Sequence, residues 1–390
     1  MSPPPGKKRK TKTKTKTPGS TLNSLPDDLL LDIVARVSRL YYPTLSHVSK
    51  RFRSLIASPE LYKARSRLGK TESCLYLCLR CCYGYRWFNL CWKPDQTLTH
   101  NTCEEKMKKK TSDYVLAKVQ IRDSPPADFS TLVSVGSDIY NIPGSANLSP
   151  PSSEVSILDC RSHTWREGPS LRMELYQVSA SVLDRKIYVA GRCEDGESDY
   201  RTDSFNVLDI ETQVWDPEPI PCSVEKIDFY CCRSTCFDGK FKVVSFTQRG
   251  FVAYDPKEAR WDMVEPMMIG CSYHMFKDSY CEIDHVLYCS VYGVIKWYDP
   301  EVRMWIKLKG LEGLRRFPND VRLADYGGKL AVLWDRDFPC DCDYEKMIWC
   351  AEISLERSKS CEIWGKVEWF DHVRTVPQAH EIVKILAATV

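Results

Sequence analysis

An aspartate followed six residues later by a tryptophan recurs along this chain, and this repeat constrains the fold more than any other feature. The four pairs are Asp159 and Trp165, Asp209 and Trp215, Asp255 and Trp261, and Asp299 and Trp305. The four tryptophans lie 50, 46 and 44 residues apart. Self-similarity at that period is typical of propeller blades, each of which is a small antiparallel sheet.

Each copy begins with a polar turn that leads directly into an apolar strand pattern. The turns are Ser137 and Asp138, Arg185 and Lys186, Gly239 and Lys240, Asp284 and His285, and Gly328 and Lys329. Trp364 ends a fifth copy, in which the spacer is longer and the aspartate is missing. We therefore expect repeats at residues 132–171, 172–217, 231–264, 271–308 and 321–369.

Five copies leave strand-like segments over at both ends of the chain. Residues 74–121 contain three such segments and residues 383–390 contain a fourth. A ring of sheets exposes unpaired edges unless its two ends meet. The sequence therefore predicts a mainly β fold, with a six-bladed propeller over residues 72–390 whose closing blade combines both ends. Trp87, Trp92 and the five repeat tryptophans are expected in the blade cores.

The segment before the propeller has a helical period instead. Three stretches within residues 21–68 each open on a proline, at Pro26, Pro43 and Pro59, as helix starts often do. We expect a small three-helix domain there. A domain of this size buries little surface by itself, so its surplus of apolar residues indicates a partner protein.

Residues 1–20 are rich in Pro, Lys and Thr and are predicted to form a disordered basic tail. The formal net charge is +3, and the tail contributes +7, so the remaining residues carry −4. This balance does not favour a specific nucleic-acid-binding fold. Residues 7–10 (KKRK) are either a nuclear localisation signal or a solubilising run. Without a signal peptide or an apolar span, we expect the nucleus, the cytoplasm or both, with the 19 cysteines reduced.

The helical segment resembles an F-box. The resemblance rests on residues 24–34 (SLPDDLLLDIV), 45–56 (LSHVSKRFRSLI) and 58–62 (SPELY). It implies binding to the Skp-type linker subunit of a cullin-based ubiquitin ligase. By position, the residues implied in that contact or its support are Leu25, Pro26, Leu29, Ile33, Val48 and Phe52. The alternative is a helical hairpin that packs only on its own propeller.

Residues 132–370 resemble kelch repeats, although the glycine doublet common in kelch blades is only partly represented, by Gly191. An F-box followed by degenerate kelch repeats is similar to plant F-box proteins. The combined resemblance implies a non-catalytic adaptor, without cofactors, whose propeller holds a protein target for ubiquitination. A scaffold protein with an F-box but without ligase output remains an alternative.

Residues with metal-binding or catalytic chemistry are few. Cys78 and Cys81, with Cys82 beside them, have the spacing of half a zinc site, but no second half stands at a suitable distance. The acidic stretch at 335–345 can supply oxygen ligands to a cation, yet a solvated loop is favoured. No metal site is predicted. An enzyme with a metal or acid/base site on the ring axis is the competing function.

The target is expected to bind long connections between the second and third strands of three blades. These connections span residues 144–154, 192–203 and 335–346. Repeat proteins often place insertions on a binding face, and aromatic residues are enriched at interface hot spots. The predicted target contacts are Tyr200, Arg201, Asp335, Asp337, Phe338 and Tyr344. The acidic character of the latter two connections predicts a target with a basic patch.

Overall fold

The computed structural model describes most of the chain and shows six four-stranded antiparallel sheets preceded by helices. The residues described are 25–93, 113–144, 152–194, 201–222, 232–245, 251–264, 279–312, 314, 317–337, 345–358 and 362–390. The mainly β, six-bladed fold predicted from the repeat is confirmed. The tail predicted at residues 1–20 lies outside the described residues.

The prolines that mark the helical segments stand at helix starts: Pro26 caps the first helix, Pro43 lies in the first turn of the second, and Pro59 begins the last. The helices are α1 (Asp27–Ala35), a 3-10 helix (Arg39–Tyr41), α2 (Tyr42–Val48), α3 (Lys50–Ile56) and α4 (Pro59–Arg67).

The helical segment predicted after Pro43 is split in two, so the described domain has four α-helices rather than three. Ser49 interrupts it with an extended backbone, at φ −160° and ψ 163°. The Ser49 hydroxyl accepts a hydrogen bond from the Phe52 amide at 3.2 Å, which caps α3. The apolar period continues across the break, and for that reason the sequence pattern alone did not show it.

Each blade has four strands, numbered here from the ring axis outward. Blade 1 is formed by β24 (Glu381–Thr389), β1 (Ser73–Cys81), β2 (Gly84–Trp92) and β3 (Tyr114–Lys118). Blade 2 is formed by β4 (Leu132–Val135), β5 (Asp138–Asn141), β6 (Ser156–Asp159) and β7 (Thr164–Glu167). Blade 3 is formed by β8 (Tyr176–Leu183), β9 (Lys186–Glu194), β10 (Arg201–Asp209) and β11 (Val214–Trp215).

The remaining three blades follow the same order. Blade 4 is formed by β12 (Cys232–Phe237), β13 (Lys240–Ser245), β14 (Phe251–Asp255) and β15 (Arg260–Val264). Blade 5 is formed by β16 (Tyr280–Ile283), β17 (Val286–Val291), β18 (Val294–Asp299) and β19 (Met304–Lys307). Blade 6 is formed by β20 (Val321–Asp325), β21 (Leu330–Asp337), β22 (Glu345–Arg357) and β23 (Ile363–Pro377).

The recurring aspartate closes the hairpin between the third and fourth strands of its blade. In all four copies its carboxylate accepts a hydrogen bond from the backbone N–H two residues later, at 2.8–3.0 Å. The residue four positions after the aspartate has a left-handed φ: 58° at His163, 56° at Gln213, 48° at Ala259 and 52° at Arg303. The chain then pairs so that each tryptophan stands opposite the residue before the aspartate. This turn is the physical basis of the six-residue spacing.

The tryptophans were expected in the blade cores, and their burial varies. Trp87, Trp215 and Trp261 are buried, whereas Trp92, Trp165 and Trp305 are half-buried. For Trp364 the prediction is wrong, because its side chain is 44% exposed near the beginning of the outermost strand β23. Lys309 covers its ring instead, with Nζ 5.6 Å from the centroid.

Blade 1 joins the two ends of the chain, and hydroxyl groups tie several innermost strands together. β24 pairs along β1 from Ser73 to Arg80. Between neighbouring blades, the Ser130 hydroxyl donates to the Val178 carbonyl at 2.7 Å, and the Ser279 hydroxyl donates to the Val321 carbonyl at 2.6 Å. These bonds satisfy buried polar groups and fix adjacent blades side by side.

Candidate functional site

One face of the N-terminal helices, α1–α4, carries apolar side chains that neither the core of these helices nor the propeller covers. On α1, Leu30 and Val34 are buried, while Leu29 is 54% and Ile33 is 47% exposed. Val48, at the end of α2, is 63% exposed. Because Leu29 and Ile33 are four residues apart, they share one helix face. Exposed apolar groups clustered in this way are typical of a protein-binding surface.

The other predicted linker contacts take supporting positions. Phe52 is buried in the core beneath this surface, and Pro26 is exposed at the start of α1. Arg51, from α3, donates to the Leu25 carbonyl at 2.6 Å and to the Asp27 carboxylate at 2.5 Å. These bonds hold the beginning of α1 against α3, which follows Val48 directly.

The N-terminal helices are fixed to the propeller through a buried arginine. The Arg65 side chain is fully buried, and its Nη1 donates to the carbonyls of Ala35 at 3.1 Å and Val37 at 2.7 Å and to the Tyr42 hydroxyl at 3.1 Å. Its Nη2 lies 3.3 Å from the Glu72 carboxylate. Glu72 leads into β1, so this ion pair links the last helix to the first blade.

A second buried arginine, Arg39, crosses to blade 2. Its Nη2 donates to the Cys160 carbonyl at 3.1 Å, in the turn between β6 and β7. That carbonyl also accepts from the Tyr76 hydroxyl at 3.0 Å, and the same hydroxyl lies 2.9 Å from His163 Nε2. Burial, helped by the nearby Arg39 charge, lowers the pKa of His163 to about 3, so this imidazole is neutral at physiological pH.

Aromatic rings form a continuous row from the N-terminal helices across blade 1 to blade 6. Tyr41 stacks on Trp92 with ring centroids 6.2 Å apart. Trp92 stacks on Tyr114 at 4.4 Å, and Tyr114 stacks on Trp369 at 4.1 Å. Stacked aromatic pairs contribute about 0.5–1.5 kcal/mol each beyond the area they bury. The row therefore helps to hold the helices and the ring closure in one arrangement.

The N-terminal helices lie at the rim of the propeller where the third strand of each blade turns into the fourth. Besides the Arg39 contact with the β6–β7 turn, Glu72 exchanges two backbone hydrogen bonds with Val390, each 2.9 Å, just after β24. Because neighbouring strands of a blade are antiparallel, the connections between second and third strands lie at the opposite end. We call that opposite end the distal rim.

Two of the three connections predicted to bind the target, those of blades 3 and 6, are shorter than expected, because strands continue into them. Among the described residues, no strand enters the segment predicted at 144–154, since β5 ends at Asn141 and β6 begins at Ser156. Within the segment predicted at 192–203, residues 192–194 pair with residues 201–203, because β9 ends at Glu194 and β10 begins at Arg201. In blade 6, β21 continues to Asp337 and β22 begins at Glu345. Tyr200, Phe338 and Tyr344 lie outside the described residues, as does the Arg201 side chain.

Three carboxylates in the described parts of these two connections have polar partners. Asp335 forms an ion pair with Lys346 at 2.6 Å, and Asp203 lies 3.5 Å from Arg192. Asp337 accepts a hydrogen bond from Gln378 at 2.7 Å. These contacts offset part of the negative charge of the described residues, and the basic patch on the target stays a prediction.

Two tyrosines on the distal rim were missed by the sequence analysis. Tyr83, between β1 and β2, is 96% exposed, and Tyr292, between β17 and β18, is 66% exposed. A glycine with positive φ follows each of them, Gly84 at 104° and Gly293 at 73°. The Tyr-Gly pair in a second-to-third strand turn is the sequence signal that marks both positions.

The residues considered for metal binding are dispersed through the blade structure. Cys78 and Cys81 are buried on β1 and Cys82 is exposed in the following turn. Burial raises the pKa of the Cys78 thiol. Across the described part of the chain, no three His, Cys, Asp or Glu side chains group together in a way that could hold a metal ion. Nor does any helix there have the length and apolar character needed to cross a membrane.

Comparisons with known proteins match both parts of this architecture. An F-box domain model matches residues 22–64, and the FKB95, Kelch-repeats domain model matches residues 87–374. The F-box/kelch-repeat protein At5g51250 of Arabidopsis thaliana is 59% identical over 94% of this chain and 100% of its own length. Its relative At3g06570, from the same plant, is 55% identical over 100% of this chain and 99% of its own length. The chain therefore belongs to the F-box/kelch-repeat proteins.

Proposed function

We propose that this protein is the target-recognition subunit of a Skp-cullin-F-box ubiquitin ligase. The F-box and kelch domains support a substrate-adaptor role in general. The observation that carries the finer proposal is the exposed apolar surface of Leu29, Ile33 and Val48, on helices whose opposite side is anchored to the propeller. In this proposal the Skp-type linker covers that surface, and a cullin joins through the linker.

The proposed target-binding surface is the distal rim. The F-box occupies the opposite rim, so a protein target on the distal rim does not compete with the linker for space. Tyr83 and Tyr292 offer exposed aromatic side chains there, of the kind that often dominate binding energy at interfaces. The ends of the strands that flank residues 195–200 and 338–344 lie on the same rim, which is consistent with the predicted role of Tyr200, Phe338 and Tyr344.

The mechanism of such an adaptor is proximity rather than bond chemistry. A target held on one rim and a ligase core held on the other bring target lysines close to the ubiquitin-conjugating enzyme, which raises the effective concentration of the reacting groups. Rigid attachment of the F-box is useful for this purpose, because it limits the volume that the bound target can explore. The Arg65 ion pair and the aromatic row supply that attachment.

The proposal is tested with a variant of the linker surface, Leu29→Asp together with Ile33→Asp. Both side chains are exposed, so the fold should be retained, while two charges placed in an apolar interface should weaken linker binding by more than about tenfold. A pull-down with a purified Skp-type subunit measures binding. Met304→Asp together with Val302→Asp, two exposed apolar residues of blade 5, is the matched control and should bind normally.

The same proteins separate linker binding from target capture. Affinity purification with the proteasome inhibited should recover the same targets with the Leu29/Ile33 variant as with the unaltered chain, but without a cullin. A distal-rim variant, Tyr83→Ser with Tyr292→Asn, should retain the cullin and lose targets. Unchanged linker binding by the Leu29/Ile33 variant would contradict the proposed function.

A further inference from the structure

A cleft between the F-box helices and the propeller has the size and the chemistry of a small-molecule site. We call it the junction cleft. It has a volume of about 660 Å³ and lies between α2, α3 and the 3-10 helix on one side and β2, β3 and the β6–β7 turn on the other. Ligand sites in proteins typically enclose about 300–1,000 Å³ and are mostly apolar with a few placed polar groups.

The charged residues that line the junction cleft are all basic. Arg39, Arg53, Lys118 and Arg161 contribute to its walls, and no Asp or Glu does so among the described residues. Arg161 is compensated by the neighbouring Asp159, with its Nε 2.9 Å from the carboxylate. Within the described part of the chain, no carboxylate lies within ion-pair distance of the side chains of Arg39, Arg53 or Lys118.

Arg39 makes this charge excess unusual because it is buried. Its side chain is 4% exposed, and its Nε and Nη1 have no hydrogen-bond acceptor among the described residues. Glu72 accepts from the Arg39 backbone amide at 2.8 Å, but its carboxylate is paired with the Arg65 guanidinium. The Arg39 guanidinium also lies over the Tyr62 ring and near the His163 imidazole, which is neutral. Burial of an uncompensated cation is strongly unfavourable.

The remaining walls of the junction cleft are suited to an apolar body. Tyr42, Ile56, Tyr62 and Val119 line it together with these cations. Asn89, on the same walls, has a buried Oδ1 without a hydrogen-bond donor among the described residues. The described residues of the lining therefore provide no anion for Arg39, Arg53 and Lys118 and no donor for this amide oxygen, while they offer apolar contact area.

We propose that the junction cleft binds a small organic oxyanion, a phosphate ester or a carboxylate with an apolar body. Its negative group interacts with Arg53 and Lys118 and compensates the buried charge of Arg39, and its apolar body packs against Tyr42, Ile56 and Val119. Because the walls come from both the F-box and the propeller, the bound ligand stabilises their relative arrangement. This site is separate from the linker surface and from the distal rim.

The test uses the full chain and phenyl phosphate as the probe, with benzoate as the carboxylate counterpart. Isothermal titration calorimetry and thermal unfolding are measured at constant ionic strength set with potassium chloride. Phenyl phosphate or benzoate should raise the melting temperature with saturating dependence on concentration, since ligands that bind only the folded state stabilise it. The neutral benzyl alcohol should not. The relative affinities of phenyl phosphate and benzoate identify the preferred oxyanion.

A variant of the cleft gives the decisive comparison. Arg53→Gln with Lys118→Gln removes two exposed cations, so the chain should fold normally and bind the oxyanion roughly tenfold more weakly. Lys257→Gln, an exposed cation in the β14–β15 turn, is the control and should bind as the unaltered chain does. The proposal is overturned if neither oxyanion shifts the melting temperature beyond the potassium chloride control, or if the double variant binds both with unchanged affinity.

Discussion

At the scale of single residues, the junction between F-box and propeller depends on how each buried polar group is compensated. Arg65 has three hydrogen-bond acceptors and a carboxylate, so its burial is well supported. Arg39 has one carbonyl acceptor and the face of Tyr62. His163 adjoins the same cluster and has to stay neutral there, because a second cation next to Arg39 is unfavourable.

Protonation of His163 should make the junction sensitive to acid. The folded-state pKa is lowered to about 3, mainly by burial and also by Arg39, whereas the unfolded chain titrates near its ordinary value of about 6.5. Between these two values the unfolded state binds a proton that the folded state does not. The contribution of neutral His163 to the free energy of unfolding is therefore fully present above pH about 6.5. It declines as the pH falls below that value, by up to about 1.4 kcal/mol per pH unit.

The variant His163→Asn should flatten this pH dependence. Asparagine tolerates the left-handed backbone at φ 58° and has no titrating group in this range. From pH 6 to pH 4 the unaltered chain should lose about 2 kcal/mol more stability than the variant, as measured by urea unfolding. His285→Asn is the matched control, because His285 also has a left-handed φ of 62° but a side chain that is 94% exposed. If the free energy of unfolding changes with pH in the same way for the unaltered chain and for His163→Asn, the prediction is wrong.

At the scale of strands and turns, the sequence predicts whatever is determined locally. The aspartate turn requires a carboxylate, a left-handed residue and two strands within seven positions, so its repeats are visible in the sequence. The hairpin extensions of blades 3 and 6 were read as loops instead. Their strands are stabilised by ion pairs such as Asp335 with Lys346 rather than by alternating apolar residues, so the usual strand signal is absent.

Contacts between distant segments were the least predictable features. Trp364 was expected in a core because of its spacing, but its copy lacks the aspartate that shapes the turn before the other four repeat tryptophans. Trp369 is the aromatic residue of β23 that packs inward, against Tyr114 of blade 1. Arg39 and Arg65 gave no sequence signal, because their partners come from segments up to 121 residues away.

A substitution within one turn should improve stability. Ala259 has a φ of 48° in the β14–β15 turn, a conformation that disfavours a residue with a Cβ atom. Ala259→Gly should therefore raise the free energy of unfolding by about 0.5–1 kcal/mol. Gly239→Ala provides the opposite change: its φ is 66° and an added Cβ would meet no atom within 4 Å, so conformational strain alone should destabilise it by about 1 kcal/mol. Chemical denaturation that shows no gain for Ala259→Gly would refute this account of the turn.

At the scale of the whole molecule, the two rims of the propeller divide the proposed tasks. One rim carries the F-box, held by Arg65, Arg39 and the aromatic row, and the distal rim carries exposed aromatic residues. Blade 1 is central to this arrangement, because it both closes the ring and connects to the F-box. Its innermost strand, β24, is the last strand of the propeller, and its second strand, β1, follows the F-box directly. The F-box and blade 1 even share one hydrophobic core, in which Leu30 and Val34 cluster with Tyr76 and Leu386.

Removal of residues 383–390 should therefore affect both the ring and the F-box. The deletion exposes the edge of β1 and removes the buried side chains of Ile385, Leu386 and Val390. At about 1.5–3 kcal/mol for each buried side chain, the loss is at least about 5 kcal/mol, and the free strand edge favours aggregation. Calorimetry should show a much lower melting temperature, and linker binding should weaken even though no linker-surface residue is changed.

The control for this deletion keeps the strand and alters its exposed side chains. Glu381→Ala with Thr389→Ala retains every backbone hydrogen bond between β24 and β1 and removes only an exposed pair of Glu381 with Arg80, which contributes little. The free energy of unfolding of this variant should lie within about 1 kcal/mol of that of the unaltered chain. The variant should also bind the linker normally. If the truncated chain instead melts like the control and still binds the linker, the C-terminal strand is dispensable and the F-box is held by its own contacts alone.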